Sequence, residues 1–135
     1  MNCLVPFADK VRNLGFFLDP TLSFDAHISH ICRGLYLQLR RIGQIRPYLS
    51  MESTKKISVA FILSCLDYCN YVLAGIPDEK IAKLQRIQNS AARLVLRKSK
   101  RDSATALLRT LHWFPVDARI KYKVATLCHQ SVHTQ

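Results

Sequence analysis

The sequence predicts a mainly helical protein, in which a short N-terminal β element precedes about five helices packed as an irregular antiparallel bundle. Apolar residues recur at spacings of three and four over most of the chain after residue 23, which is the pattern of amphipathic helices. Proline, glycine and capping serine residues divide this pattern into segments with short connections, and short connections favour antiparallel neighbours.

The β element is predicted over residues 11–18 as one short strand. Its apolar side chains are Val11, Leu14, Phe16 and Leu18, while Gly15 allows a bulge or a close approach of another backbone. The dipeptide at 19–20 is Asp-Pro, which predicts that a turn follows the strand.

Two helices are predicted in the first half of the chain. The first has Ser23 as its N-cap, is weakened at Gly43 and ends at Pro47. The second begins after Ser50 and is closed by Gly75. The apolar face of the first helix comprises Phe24, Ile28, Ile31, Leu35, Leu39, Ile42 and Ile45.

Three more helices are predicted in the second half. One has Pro77 at its first position, and its core face comprises Ile81, Leu84, Ile87, Gln88, Ala91, Leu94 and Val95. A polar break over 99–102 separates it from a short helix that Ser103 caps and that runs through Leu111. The last helix begins at Pro115 and carries Val116, Ile120, Val124 and Leu127 on its apolar face.

Charge is distributed unevenly along the chain. Twenty Lys and Arg against nine Asp and Glu give a net charge of +11. Residues 1–67 hold eight basic and five acidic residues, whereas residues 68–135 hold twelve and four. A basic C-terminal half indicates a polyanionic partner, with nucleic acid first and an anionic membrane surface second. An ordinary soluble basic surface is the alternative.

Cysteine usage and hydropathy bear on the compartment. The five cysteines are odd in number, and several lie within apolar helical patterns, so we expect an intracellular, reducing location, either nucleus or cytoplasm. The N-terminus is not expected to act as a secretory signal. Residues 57–76 are long enough to span a membrane, but Asp67 and several other polar residues interrupt them, so no membrane partner is predicted.

The sequence offers weak candidates for catalysis and metal binding. His27, His30 and Cys32 are close in sequence, but on a helix one tetrahedral site cannot easily use all three. Cys128 and His129 are adjacent, and adjacent helical residues do not face each other. No grouped glycines form a phosphate loop. We therefore predict no catalytic residue, no metal and no cofactor.

Three polar or aromatic residues in apolar surroundings each have more than one interpretation. Asp67 and Asn70 could hold helices in register or contact nucleic acid, but we favour satisfaction of buried backbone or of a tyrosine hydroxyl. Trp113 could stack on a base, but we favour a position in the core.

A basic ridge on the third helix is the strongest functional feature. Relative to Arg86, the side chains of Arg93, Arg97, Lys100 and Arg101 fall within about 60° if the helix continues through Ser99. The apolar residues lie on the opposite side. An ordinary solvated face normally mixes both signs of charge, whereas this ridge has five cations and no anion. Nucleic-acid binding is therefore predicted for Arg86, Arg93, Arg97, Lys100 and Arg101.

Three phrases occur in a fixed order along the chain. The first is VRNLGFFLD at 11–19 leading into LSFDAHI at 22–28; the second is LDYCN at 66–70 followed by KLQRIQNSAAR at 83–93; the third is LHWFPV at 111–116 followed by RI at 119–120. Together they resemble the region after the catalytic palm in reverse transcriptases of LINE-type (non-long-terminal-repeat) retrotransposons. The resemblance covers nearly the whole chain, from about Val5 onward.

The resemblance implies a fragment of an RNA-directed DNA polymerase without its catalytic centre, because the Asp-Asp pair of those enzymes occurs nowhere in the chain. Residues 1–19 would be a remnant of the palm end, with Asn13, Leu14 and Gly15 as its primer-side strand, and residues 20–135 would be a helical thumb-like region. The implied activity is non-specific binding of RNA or an RNA–DNA duplex, with self-association through an unpaired strand. The alternative is a small helical protein-interaction module.

Overall fold

A computed structural model describes residues 24–68 and 73–134 of the chain, together with the backbone of 11–13 and 16–18. The described part is mainly helical, which confirms the predicted class. At the N-terminus, β1 (Val11–Asn13) pairs antiparallel with β2 (Phe16–Leu18), and Val11 lies opposite Leu18. This differs from one continuous strand over 11–18, because the two three-residue segments pair with each other as separate strands. Ser23 and the Asp-Pro turn lie outside the described residues.

The second helix begins as predicted but is shorter, whereas Phe24, with φ 60°, occupies the N-cap position of the first helix in place of the predicted Ser23. Helix α1 spans Asp25–Ile45 and passes into a 3₁₀ turn, Arg46–Tyr48, that contains Pro47. Helix α2 (Met51–Ser58) is N-capped by Ser50, whose side chain accepts a hydrogen bond from the Ser53 backbone N–H at 3.1 Å. It continues through a π-helical segment, Val59–Leu63, into α3 (Ser64–Asp67).

Gly75 therefore does not close the second helix. The helix stops at Asp67, because Tyr68 takes an extended conformation with φ −63° and ψ 114°. Gly75 instead occupies a later turn with φ 85°, where glycine carries no steric penalty. In the part of the chain that the structure describes, no helix is both long and apolar enough to cross a membrane.

Helix α4 (Asp78–Leu96) lies at the centre of the packing and contacts α1, α2, α5 and α6. Helix α5 spans Ala104–Leu111 and α6 spans Val116–His133. Counting α2, the π segment and α3 as one continuous helix, the described residues form five helices, as predicted. Ser103 precedes α5, although its side chain makes no capping hydrogen bond.

The core forms where the helical periodicity predicted it. The predicted face of α4 is buried at Leu84, Ile87, Gln88, Ala91 and Val95. Trp113 also lies in the core, which confirms the favoured interpretation of that residue. Two predicted core positions near helix ends differ, because Ile45 lies where α1 gives way to the turn and Leu127 lies on the outer half of α6, and both are exposed.

Candidate nucleic-acid interface

A groove of about 860 Å³ runs between α1 and the C-terminal half of α4. Helix α1 contributes Tyr36 and Gly43 to its wall, and the following 3₁₀ turn contributes Arg46 and Pro47. None of the described residues that line the groove is acidic. The remaining lining residues come from α4 and the loop after it, and they are Arg86, Asn89, Ser90, Arg93, Leu94, Arg97, Lys98 and Lys100.

Four of the five predicted ridge residues line this groove, but not as a continuous helical ridge. Helix α4 ends at Leu96, and Arg97 adopts the left-handed conformation with φ 51° and ψ 47°. The Lys98 backbone N–H then donates to the Arg93 carbonyl oxygen at 2.9 Å, which is the closing bond of a Schellman motif. The condition that the helix continues through Ser99 is therefore wrong, and Arg101 is exposed without lining the groove.

Asp102 holds the loop that returns Lys100 to the groove. Its Oδ2 accepts hydrogen bonds from the Ser99 backbone N–H at 2.8 Å and from the Ser99 hydroxyl at 3.2 Å. The Asp102 N–H in turn donates to the Ser99 carbonyl oxygen at 3.2 Å. The cations after α4 consequently sit on a turn with a defined internal hydrogen-bond pattern rather than on a loose tail.

Arg46 lines the groove and connects the turn after α1 to the end of α4. Its side chain is buried, and Nε and Nη2 donate to the carbonyl oxygens of Leu94 and Val95 at 3.0 and 2.9 Å, while Nη1 donates to the Leu49 carbonyl oxygen at 2.8 Å. Carbonyls in the last turn of a helix carry partial negative charge and lack helical donors. Arg46 thus caps α4 from outside. Burial, and then the charge of Arg97, lower the pKa of its guanidinium.

The remaining groove cations differ in their burial and in their hydrogen bonds to the protein. Arg93 is half-buried, and its Nη2 donates a long hydrogen bond of 3.4 Å to the Asp102 carbonyl oxygen. Its Nε is buried with no hydrogen-bond partner among the described residues. Arg97 is exposed and donates a bond of the same length to the Arg46 carbonyl oxygen. Arg86, Lys98 and Lys100 are also exposed, so their charges are accessible to a ligand.

Sequence reasoning missed Arg46, Tyr36 and Lys98. Helical periodicity on α4 alone could not find the first two, because they lie on α1 and the turn that follows it. One signal was available for Arg46. It is a basic residue at the end of a predicted helix, and basic side chains in that position can hydrogen-bond helix-terminal carbonyls.

The second and third phrases of the sequence meet at a separate polar cluster. Arg119 on α6 donates to both carboxylate oxygens of Asp67, with Nε to Oδ1 at 2.7 Å. The favoured interpretation of Asp67, satisfaction of backbone or of a tyrosine hydroxyl, is therefore wrong, because its partner is a guanidinium on another helix. This pair does join two helices, as the other interpretation proposed. Asn70 lies outside the described residues.

Two glutamines on α4 complete the cluster. Gln88 is fully buried, and its Nε2 donates to the Phe114 carbonyl oxygen at 2.8 Å. Gln85 accepts a 2.8 Å hydrogen bond from the Val116 backbone N–H, so it satisfies an orphan donor in the first turn of α6. Two hydrogen bonds made by glutamine side chains thus connect the phrase at 83–93 to the backbone of the phrase at 111–116.

The other candidate residues are dispersed. His27 is buried, His30 is exposed and Cys32 is half-buried, and no group of three or more His, Cys, Asp or Glu suited to a metal forms within the described ranges. Burial raises the pKa of Cys65. Asn13 lies in β1 opposite Phe16, while Leu14 and Gly15 lie outside the described residues.

Comparison with protein-family models, with curated proteins and with solved structures finds no match to this chain. Any assignment of function therefore depends on the groove, the contacts between the second and third sequence phrases, and the resemblance that the three phrases carry.

Proposed function

We propose that this chain is a non-specific nucleic-acid-binding segment, and that it corresponds to the region after the palm of a LINE-type reverse transcriptase. One observation carries the binding proposal: six cations and no acid line the groove, namely Arg46, Arg86, Arg93, Arg97, Lys98 and Lys100. A single-sign concave surface raises the local concentration of polyanions. Such contacts neutralise phosphates without reading sequence.

Contacts among the phrases support the family proposal. The phrase at 83–93 contributes Gln85 and Gln88, and both side chains bond to the backbone of the phrase at 111–116. Asp67 from the phrase at 66–70 pairs with Arg119. The second and third phrases therefore form one contiguous structural unit.

Under this proposal residues 1–19 are the palm end and residues 20–135 are a thumb-like helical region that acts inside the cell. The ligand is RNA or an RNA–DNA duplex. We also propose that the chain by itself incorporates no nucleotides. Polymerisation needs carboxylates that hold two metal ions about 4 Å apart. Template-dependent incorporation that survives repurification and exceeds a no-enzyme control would overturn this part of the proposal.

The binding test is a mobility shift of the purified chain on an RNA–DNA hybrid at a low and a moderate salt concentration. If about three cations reach phosphates, the slope of log K against log salt should be near −3 on duplex, from about −0.9 per phosphate. A slope near zero, or no shift at low salt, would contradict the proposal.

A protein-interaction module is the second candidate, and one observation favours it. Large apolar or aromatic side chains remain exposed along α6 and at the residue preceding Pro115, including Phe114, Tyr122 and Val132. Apolar docking changes little with salt, whereas phosphate neutralisation changes steeply. The salt series therefore separates the two candidates.

A further inference from the structure

The groove lies between two helices that pack directly against each other, and this limits what can enter it. Helices α1 and α4 are neighbours in the core, and the axes of packed helices lie about 8–10 Å apart. A duplex is much wider, since its major groove of about 12 Å itself admits a whole helix. A duplex can lie across the rim, whereas a single strand is the better match to a groove between two packed helices.

The two walls differ in chemistry. The α4 side and its following loop supply Arg86, Arg97 and Lys100 as exposed cations. The α1 side supplies Tyr36, which is 50% exposed. Proteins that bind single strands combine a cationic track for the backbone with aromatic side chains on which bases stack. An exposed tyrosine facing the same groove as the cations matches that arrangement.

We infer that this groove binds one unpaired nucleic-acid strand, with its phosphates along the α4 wall and a base stacked on Tyr36. The inference rests on the proposed function and narrows its ligand to a single strand, such as the unpaired strand flanking a template–primer duplex. It also assigns a stacking role to a residue outside the basic ridge.

A substitution at Gly43 can test whether the strand lies inside the groove, and it removes no charge. It lines the groove, and a Cβ there would meet only the Leu94 side chain, at an ordinary distance of 3.8 Å. Gly34 lies on the same helix, is exposed, and has nothing within 4 Å of such a Cβ. Gly43→Leu therefore narrows the groove, and Gly34→Leu is the matched control with the same gain in helix propensity.

The experiment measures fluorescence anisotropy of a labelled oligo(U) strand of about 16 nucleotides, the upper end of single-strand site sizes, and of a duplex of equal length. Tyr36→Ala should raise the single-strand Kd about 5- to 150-fold, because one stacked base contributes about 1–3 kcal/mol. The salt slope should stay unchanged, and Tyr36→Phe should restore affinity. Tyr48→Ala, which removes an exposed tyrosine outside the groove, should change nothing.

Gly43→Leu should weaken binding of the strand more than binding of the duplex, whereas Gly34→Leu should affect neither. The inference is overturned if Tyr36→Ala and Gly43→Leu leave strand affinity intact while Arg86→Ala with Lys100→Ala still flattens the salt slope. In that outcome phosphate binding stands and the strand lies elsewhere. If the charge variant also has no effect, the proposed function fails, and the inference fails with it.

Discussion

Arg119 of α6 donates hydrogen bonds from both Nε and Nη2 to the carboxylate of Asp67, which lies at the end of α3 and 52 residues away in sequence. The pair is partly shielded, with side-chain exposures of 21% and 41%. A fork of two parallel hydrogen bonds is specific to arginine, because a lysine ammonium cannot reproduce its planar geometry. The contact thus fixes the position of α6 relative to the helix that ends at Asp67.

Removing either partner should destabilise the fold. Because the pair is partly shielded, we expect Asp67→Ala to lower the free energy of unfolding by about 1–2 kcal/mol, between the values for surface and buried pairs. Arg119→Lys should lose most of the same amount. A double-mutant cycle by urea unfolding measures the coupling. Lys121→Ala, which breaks an exposed pair with Asp117 on the same helix, should cost no more than about 0.5 kcal/mol. Equal costs for the two pairs would contradict the account.

Substitution of Gln88 should destabilise the fold as much as substitution of an apolar core residue. It is 0% exposed, and its amide bonds to the Phe114 carbonyl oxygen. Gln88→Leu would leave that carbonyl without its donor, at a cost of about 1–3 kcal/mol. Gln44→Leu, at an exposed position on α1, should change stability by less than about 0.5 kcal/mol. Thermal unfolding of both variants checks the difference, and an unaffected Gln88→Leu would mean that the loop is held by other contacts.

Two of the described helices have a left-handed residue other than glycine at their C-terminal end, and only one of these residues lines the groove. Arg97 and His112 have φ of 51° and 59°, and each is followed by a Schellman bond of 2.9 Å. Glycine adopts this conformation without the Cβ penalty. We therefore expect Arg97→Gly and His112→Gly each to stabilise the fold by up to about 1 kcal/mol.

Their effects on binding should differ. Arg97→Gly should flatten the salt slope by about 0.7 on a single strand, whereas His112→Gly should leave it unchanged. This outcome would place the charge of Arg97 in the interface. Equal binding by both variants would remove Arg97 from the interface.

Lowering the pH should reduce the free energy of unfolding, because His27 is buried. Burial, and then the charge of His30, lower the pKa of His27 below its usual value of 6.5. In the unfolded chain this histidine takes up a proton near pH 6.5, while in the folded chain it stays neutral to lower pH. The unfolded state therefore binds more protons in that window. The stability contribution is fully present above pH 6.5 and is lost as the pH falls through the folded pKa.

Urea unfolding at pH 7.5 and at lower pH checks this expectation. His27→Gln should reduce the dependence on pH, and His129→Gln, at an exposed position, should not. A pH dependence that is identical in all three proteins would assign the effect to other groups.

The buried face of α4 could be predicted from the sequence, whereas only the α4 wall of the groove could be predicted. One physical reason explains both outcomes. Spacing along one helix determines which of its own residues share a face, so Leu84, Ile87 and Val95 were identified correctly as core. The opposite wall of the groove depends on how α1 packs on α4, and periodicity carries no information about that packing. Tyr36 and Arg46 were missed for this reason.

Helix ends were less predictable than helix faces. The sequence placed the end of the second helix at Gly75, but the helix stops at Asp67, whose carboxylate is held by Arg119. On α4 the basic ridge required the helix to continue through Ser99, whereas the helix stops at Leu96, where the Lys98 N–H caps the Arg93 carbonyl. Boundaries of this kind are harder to predict from helical periodicity than helix faces.

The measurement that tests the account most directly is the salt slope of binding to oligo(U) for the wild type and two charge-matched double variants. Arg86→Ala with Lys100→Ala removes two exposed groove cations. Lys55→Ala with Lys56→Ala removes two cations on α2, outside the groove, where Lys56 is already paired with Glu52. The groove variant should flatten the slope by about 1.4, from about 0.7 per phosphate on a single strand, while the α2 variant should change it little. Equal flattening by the two variants would show that binding follows overall charge and that the groove has no special role.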